Sequence, residues 1–571
     1  MKTDILKSKA AEWLRNDFDQ QTRLETAALI AGDETLLREA FGQNLEFGTG
    51  GLRGIMGTGT NRMNIYTVGM AAQGMATYLI ETFGPRDVSV AIGHDCRRNS
   101  PEFARRAAEV FAANGIKVFL FENLRPTPEI SYAIRHYSCK GGVVITASHN
   151  PPEYNGFKAY WEDGAQLVPP HDKNIIDRVS KISNPASIST QYDPDLILSI
   201  GRETDEQYLR AILRETLVQT DTPLKVVYTP LHGTGITLIP EALRRAGFKE
   251  VYVVAQQSVP DGNFSTVRSP NPEEPDALKM AIDLADAKFA DLVIGTDPDA
   301  DRIGIACKNH QGDWVLLNGN QTGCILFDYM LSKWQNQGKL NGNQFIAKTV
   351  VTTELIKEIA DYYQVECTDT LTGFKWIAKA IRENEGKKEF IIGGEESFGY
   401  MIGDFVRDKD AIASTLLACE AAAEAAKNGK SFFDLLIDIY SRIAFYKEHL
   451  ISITKKGLDG ADEIRKMMDA LRNQPPSHIA GEKVLLVRDF DSLTQNDLIS
   501  GKVSVLNFPK SNVLQFELAD GSRVTARPSG TEPKIKFYIS ARMPAIKPKD
   551  FSAAEMRIDA HIRRIVEDLN L

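Results

Sequence analysis

Three apolar runs spread along this chain end in the same way. Val143-Val144-Ile145-Thr146-Ala147-Ser148, Leu292-Val293-Ile294-Gly295-Thr296-Asp297 and Phe390-Ile391-Ile392-Gly393-Gly394-Glu395 each give three apolar residues, two small ones, then a reactive or acidic one. Apolar-then-small is also how buried strands commonly finish, so a single copy carries little. Three copies with chemically loaded continuations point to a repeated domain. In open α/β sheets ligands collect beyond the carboxyl ends of strands, so each copy delivers its loop to the same kind of place.

The segments before each ending support a strand–helix rhythm. VSVAIGHD (88–95) is of strand type. Ser100-Pro101 predicts an N-cap and first-turn proline for a helix that ends before Gly115. IKVFLF (116–121) and GGVVITASHN (141–150) follow. The rhythm returns between about 224 and 297, with LKVVYTP, a helix ending near Gly247, EVYVVA and ADLVIGTD. It returns again with FIAKTVVT, ELIKEIADYYQ, a short strand near Val365, FKWIAKAIREN and EFIIGGEES. Strands alternating with helices predict mostly parallel sheets covered on both faces. After about 445 the pattern changes: LQFELADGSRVTARPSG alternates around the turn signal Asp520-Gly521, KIKFYISAR continues the alternation, and an amphipathic helix spans about 551–569. This reads as a smaller α+β domain with an antiparallel sheet.

The 571 residues suit about four domains. We place them at 1–205 (an N-terminal helical extension of about 40 residues and the serine domain), 206–320, 321–445 and 446–571. A net charge of -9 argues against a general binder of nucleic acid or anionic membrane, but not against a small phosphorylated ligand. No run of 18 apolar residues occurs, and the opening MKTDILKSKAAEWLRNDF has no apolar signal-peptide core. The six cysteines are scattered without CxxC pairing, which suits reduced core residues in a cytoplasmic protein. The nine histidines form no HExxH or HxxxH cluster.

Four loops carry chemistry. Thr146-Ala147-Ser148-His149-Asn150-Pro151 presents a serine on a rigid mount, suited to a nucleophile or phosphoryl carrier, although the same six residues also suit an N-capping serine in an ordinary turn. Asp297-Pro298-Asp299-Ala300-Asp301-Arg302 crowds three carboxylates that a cation would neutralise, and oxygen-only ligation selects Mg²⁺, Mn²⁺ or Ca²⁺. An EF-hand is excluded by Arg302 at the turn-glycine position and Lys308 at the bidentate-glutamate position. Glu395-Glu396-Ser397 could hydrogen-bond sugar hydroxyls, with Arg407 and Lys409 downstream as phosphate holders. Arg527-Pro528-Ser529-Gly530-Thr531-Glu532-Pro533-Lys534 reads as a phosphate nest. Gly48-Thr49-Gly50-Gly51-Leu52-Arg53-Gly54 is not a dinucleotide fingerprint, because no strand precedes it and its third glycine is misplaced. A serine, a three-carboxylate cation site, a polar sugar loop and a phosphate clamp make up the parts of metal-assisted phosphoryl transfer.

The order TASHNP, DPDADR, GEESFGY, RPSGTEPK resembles that of the α-D-phosphohexomutase superfamily, from Phe47 to about Ala541. The resemblance implies three related α/β/α domains with mixed, mostly parallel sheets. It also implies a C-terminal α+β domain shaped like the TATA-binding-protein sheet, and a central cleft. It implies a phosphoserine at Ser148, whose phosphate completes the ligand set of one Mg²⁺ held by Asp297, Asp299 and Asp301. Glu395 and Ser397 would read sugar hydroxyls, and Arg527, Ser529, Gly530 and Thr531 would grip the phosphate that stays. Arg53, Lys158, Arg302 and Lys409 match further cationic positions, Thr372 a ligand contact, and Lys158 and His149 the proton carriers. The implied activity interconverts α-D-glucose 1-phosphate and glucose 6-phosphate through glucose 1,6-bisphosphate, with mannose and pentose phosphates as alternatives.

The sugar loop departs from the GEMSGH and GEQSGH forms of other branches; GEESFGY followed by GDFVRDKDA looks like the branch holding bacterial α-phosphoglucomutases and vertebrate phosphopentomutases. Tyr400 stands where those other forms carry a histidine, which removes that histidine as an acid or base here. Two rivals from other classes remain. A sugar-phosphate binder that has lost catalysis predicts a damaged loop, and none is visible. A metal-dependent phosphatase would release orthophosphate. No oligomeric state is legible.

Overall fold

The computed structural model describes residues 3–48, 50–217, 223–455, 457–529 and 534–571. They form three α/β/α domains with mixed sheets and a C-terminal antiparallel sheet with helices. By contacts the chain resolves into two compact units. The first holds residues 1–317, 374–385 and 397–428; the second holds 318–373, 386–396 and 429–571.

The first unit begins with helices Thr3–Ala11, Gln20–Ala31 and Glu34–Phe41. Asp19 and Asp33 cap the second and third by accepting the backbone N–H groups of Thr22 and Thr35. Trp13, Phe18 and Phe41 close around Tyr66, with Trp13 ring centroids 4.9 Å from Phe18 and 5.5 Å from Tyr66. The Tyr66 hydroxyl accepts the Asp19 N–H at 2.8 Å and donates to Asp19 Oδ2 at 2.9 Å. Tyr66 lies on the helix Ile65–Phe83, which Asn64 and Thr67 start with a capping box.

The first sheet contains β1 (Gly51–Ile55), β2 (Ser89–His94), β3 (Lys117–Phe121), β4 (Gly141–Ile145), β5 (Tyr154–Trp161) and β6 (Ile197–Ile200), in the order β1-β5-β4-β2-β3-β6. β4, β2, β3 and β6 are parallel, while β5 runs antiparallel to both β4 and β1. β5 is buried from Asn155 onward, so it lacks the alternation that marks a half-exposed strand. β1 shows why the glycine-rich segment needs its glycines: Gly51 takes φ 127°, and a Cβ there would sit 1.7 Å from the Phe157 carbonyl oxygen. The helix after β2 begins at Ser100, one residue earlier than the sequence suggests, behind Asn99 at φ 62°. Ser100 does not cap it; its hydroxyl donates to Asp95 Oδ1 at 2.7 Å.

The second sheet has β7 (Lys225–Thr229), β8 (Glu250–Val253), β9 (Leu292–Thr296), β10 (Ile303–Lys308) and β11 (Trp314–Leu317), ordered β11-β10-β9-β7-β8. β7, β8 and β9 are parallel, and β10 and β11 return antiparallel. In the second unit the strands Glu366–Thr370 and Glu389–Glu395 flank Gln344–Thr349 in parallel. There too lies the C-terminal antiparallel sheet, in which Lys534–Pro544 pairs with Ala444–Thr454 on one side and Arg523–Pro528 on the other. The expected closing helix is Phe551–Asp568. Its buried side chains recur at helical spacing, at Ala554, Ile558, His561, Ile562 and Ile565. No disulfide joins any of the six cysteines. Among the described residues no helix is long and apolar enough to cross a membrane.

Candidate active site

β4 ends at Ile145, and the turn that follows holds Ser148 at φ 51°, a left-handed conformation that L-residues with a side chain rarely take. Two anchors hold it there. The Ser148 N–H donates to Thr146 Oγ1 at 2.8 Å. The buried guanidinium of Arg97 donates to the carbonyl oxygens of Ser148 (2.6 Å), Pro151 (2.8 Å), Tyr154 (3.0 Å) and Asn150. Asp95 supplies the counter-charge at 3.3 Å, and the Phe264 ring lies 4.9 Å beneath the guanidinium carbon. The Ser148 hydroxyl donates to Asp297 Oδ2 at 2.6 Å and sits 3.3 Å from His149 Nδ1. An N-capping role for Ser148 is ruled out, because β5 rather than a helix follows the turn.

Asp297, Asp299 and Asp301 occupy the tight connection between β9 and β10, and all three are buried. Their ligand atoms lie within 4.8 Å of one another, forming the one such carboxylate, histidine or cysteine group among the described residues. The protein satisfies their oxygens unevenly. Asp297 Oδ1 accepts the backbone N–H groups of Asp301 and Arg302, both at 3.0 Å. Asp299 Oδ2 accepts from Lys158 Nζ (2.6 Å) and Thr127 Oγ1 (2.8 Å). Asp301 Oδ2 faces Lys158 Nζ at 3.1 Å and Lys409 Nζ at 3.2 Å. Asp299 Oδ1 and Asp301 Oδ1 are buried with no hydrogen-bond donor. Leaving such an oxygen unmatched costs on the order of 1–3 kcal/mol, more when it is charged. A hard divalent cation matches an oxygen-only donor set of this kind, so the residues fit a bound metal.

Burial, then the neighbouring charges of Asp299 and Asp301, pushes the Asp297 carboxyl well above its usual range. Burial acts the same way on Asp299, but the Lys158 ammonium and its hydrogen bonds outweigh it and hold that carboxyl low. Lys158 loses water on burial, yet the two aspartates raise its affinity for the proton above the usual lysine value. Its place follows from register, since Lys158 on β5 stands opposite Val144 on β4 and Gly51 on β1. The imidazole of His149 is pushed well below its ordinary value by loss of water, then by Arg302 and Arg53.

The remaining cations of this unit are held individually. Lys409 Nζ bonds Asp408 Oδ1 at 2.9 Å, and Asp408 Oδ2 in turn accepts from Tyr160 (2.7 Å) and Gln166 (2.9 Å). Arg302 pairs with Glu273 at 2.8 Å. Arg53 is exposed and reaches Asn150 Oδ1 at 3.4 Å. Ser397 is half-buried. Arg407, read as a phosphate holder, is instead fully buried and engaged with Glu385 and Asp404. Gly399 lets Lys409 pass: a Cβ there would lie 2.0 Å from Lys409 Cδ. Gly399→Ala is therefore expected to displace the ammonium from Asp301 and to lower kcat by about 10–100-fold, the scale for losing an outer-shell partner of a metal ligand. Steady-state assay with a far-ultraviolet spectrum as folding control checks this, and unchanged kcat would contradict it.

The second unit carries its own set. The Glu395 side chain accepts the Gly373 N–H at 2.8 Å, beside the half-buried Thr372. Glu396 Oε2 accepts from Thr349 and Thr352, each at 3.2 Å. Arg527 is the penultimate residue of the strand Arg523–Pro528 and donates to the Tyr538 hydroxyl at 3.5 Å. Burial, then the Glu396 charge, pushes the Tyr538 phenol up to about 12, with Arg527 opposing. Ser529 is exposed, and its N–H donates to the Lys534 carbonyl at 2.7 Å. Gly530 and Thr531 lie outside the described residues.

Sequence reasoning missed Arg97, Thr127, Asp408 and the positions of β1 and β5. Arg97 has a faint signal, a charged residue three positions after an apolar strand, but nothing in its local pattern says that it binds four carbonyls.

Fold and site together define a class: repeated α/β domains that bring a serine hydroxyl and an oxygen-only cation pocket to the carboxyl ends of their strands. The family profile "Phosphoglucomutase/phosphomannomutase, alpha/beta/alpha domain I" matches residues 44–186, domain II matches 206–312 and domain III matches 318–443. The chain belongs to this family. A phosphoglucomutase of Staphylococcus epidermidis is 40% identical over 509 residues, covering 88% of this chain and 92% of that protein. One of Staphylococcus aureus is 37% identical over 529 residues, covering 92% and 94%. Among solved structures, a phosphoglucomutase/phosphomannomutase family protein of Burkholderia thailandensis superposes with TM-score 0.66 at 20% identity, covering 92% of this chain and 97% of that one. Parafusin of Paramecium gives 0.63 at 18%, covering 92% and 95%. These two show the fold alone.

Proposed function

We propose that this chain is a phosphoglucomutase, an isomerase that interconverts α-D-glucose 1-phosphate and glucose 6-phosphate through a phosphoserine at Ser148. The observation that carries the reading is the Ser148 hydroxyl bonded at 2.6 Å to one member of a buried three-aspartate cluster. The chain's 40% identity to a phosphoglucomutase supports glucose as the sugar. The division at 1–205, 206–320, 321–445 and 446–571 belongs to the same proposal.

Asp297, Asp299 and Asp301 would hold one Mg²⁺, which would supply charge neutralisation at the phosphoryl oxygens. In the forward half-reaction the bond from phosphorus to Ser148 Oγ breaks and a bond from phosphorus to the free sugar hydroxyl oxygen forms. The hydroxyl proton leaves the sugar, and a proton reaches Ser148 Oγ. Glucose 1,6-bisphosphate results; it turns over, and its other phosphate returns to Ser148. Two groups fit the proton traffic. Lys158 is held protonated by its two aspartates and can donate, and the neutral imidazole of His149 can accept. Arg53, Arg302 and Lys409 would balance the moving phosphate. Glu395, Ser397 and Thr372 would read sugar hydroxyls, and Arg527, Ser529, Gly530 and Thr531 would grip the phosphate that stays.

A coupled assay across glucose, mannose, glucosamine and ribose 1-phosphates tests the sugar. A site built to hydrogen-bond hydroxyls leaves its own polar groups unpaired with the wrong sugar, so glucose 1-phosphate should lead in kcat/KM by at least about tenfold. A higher ratio for ribose or mannose 1-phosphate would replace glucose with that sugar. Accumulating orthophosphate would mark a phosphatase instead.

A further inference from the structure

The aspartate loop is moored by three consecutive carbonyl oxygens, each on a different element. Pro298 O accepts from the Thr234 N–H at 2.8 Å, Asp299 O from the Thr127 N–H at 2.8 Å, and Ala300 O from the Ala411 N–H at 3.2 Å. Only one of these donors also holds a carboxylate: Thr127 Oγ1 donates to Asp299 Oδ2 at 2.8 Å. Thr127 opens the helix Thr127–His136, whose preceding residue, Pro126, provides no side-chain cap. A helix start leaves N–H groups without partners, and here one of them is satisfied by the aspartate loop itself.

We infer that Thr127 is a positioning residue of the cation site, fixing Asp299 so that Oδ2 is consumed by protein donors and Oδ1 is left for the metal. Two contacts from one buried residue, one to the backbone and one to the side chain of Asp299, remove rotation of the carboxylate about its own chain. Lys158 alone does not achieve this, because its flexible ammonium also serves Asp301. Partners of this kind orient metal ligands and typically account for 10–100-fold in metal affinity. The threonine belongs to the serine domain and the aspartate to the next one. The same contact therefore registers the serine loop against the aspartate loop, where Ser148 meets Asp297.

This inference rests on the metal reading above and is tested without substrate, so an error in the assigned sugar leaves it untouched. Binding of Mn²⁺ to the full chain is measured by electron paramagnetic resonance for wild type, Thr127→Val and Thr127→Ser. The valine variant keeps the shape and loses the hydroxyl, so its Kd should rise by about 10–100-fold, while the serine variant stays within about threefold of wild type. The increase in melting temperature that Mn²⁺ produces should shrink in the valine variant by more than the metal-free melting temperature falls. Should valine prevent folding, Thr127→Ala carries the same expectation. Wild-type Mn²⁺ affinity in the variants lacking the hydroxyl, or an equal loss in Thr127→Ser, would overturn the assignment. Failure of the wild type to bind Mn²⁺ would overturn both this and the metal reading.

Discussion

Ser148→Ala is expected to lower kcat by on the order of 10³-fold or more while KM for glucose 1-phosphate changes little, because the proposed covalent carrier is removed and the proposed substrate grips are not. The two oxygens that exchange phosphate lie on opposite sides of one sugar, so a carrier must hold the group between two transfers. Alanine also removes the hydroxyl from Asp297 Oδ2, leaving a carboxylate that burial already drives toward its protonated form. The turn itself should persist, since Arg97 grips backbone oxygens and the Thr146 hydroxyl accepts a backbone N–H. Peptide mass spectrometry of the wild type should find one added phosphate on the Ser148 peptide. Glucose 1,6-bisphosphate should restore a dephosphorylated sample but not the alanine variant. Near-wild-type turnover in Ser148→Ala would end the phosphoserine mechanism.

The second large effect is expected at the aspartate triad. Exhaustive chelation should abolish turnover and Mg²⁺ should restore it. Asp299→Ala should lose about three orders of magnitude in kcat, equivalent to roughly 4 kcal/mol of transition-state stabilisation. The substitution removes one of the two oxygens without a donor and frees Lys158 and Thr127 from their shared acceptor. The protein should stay folded, because the loop keeps its three carbonyl moorings. Circular dichroism separates loss of fold from loss of chemistry. Full activity after chelation to trace metal would remove the cation from the reaction.

What was legible before the structure, and what was not, divides by the range of the interaction. Ser148 and the three aspartates lie within five residues beyond the carboxyl ends of apolar strands, and Glu395 closes one, so a local pattern finds them. β5 escaped because an antiparallel strand buried on both sides has no period to detect, and Lys158 could be placed only by resemblance. The helix start at Ser100 was missed by one residue because Asn99 adopts a left-handed conformation that a capping pattern does not encode. Arg407 misled, since a cation just downstream of a polar sugar-type loop looks available until burial and Glu385 engage it. Thr127 lies 172 positions from Asp299, and no spacing rule spans such a gap.

The aromatic cluster around Tyr66 matters for anyone who would dissect the chain. The family match starts at residue 44, which suggests cutting there to obtain the first α/β/α domain. That cut would remove Trp13, Phe18 and Phe41 and strip the Tyr66 hydroxyl of both its partners on Asp19, baring a greasy face on the helix Ile65–Phe83. A fragment trimmed by homology would thus be prone to precipitate. One begun at the N-terminal helices would keep the surface that those helices cover, and Trp13 would serve as a built-in fluorescent reporter of whether they remain docked.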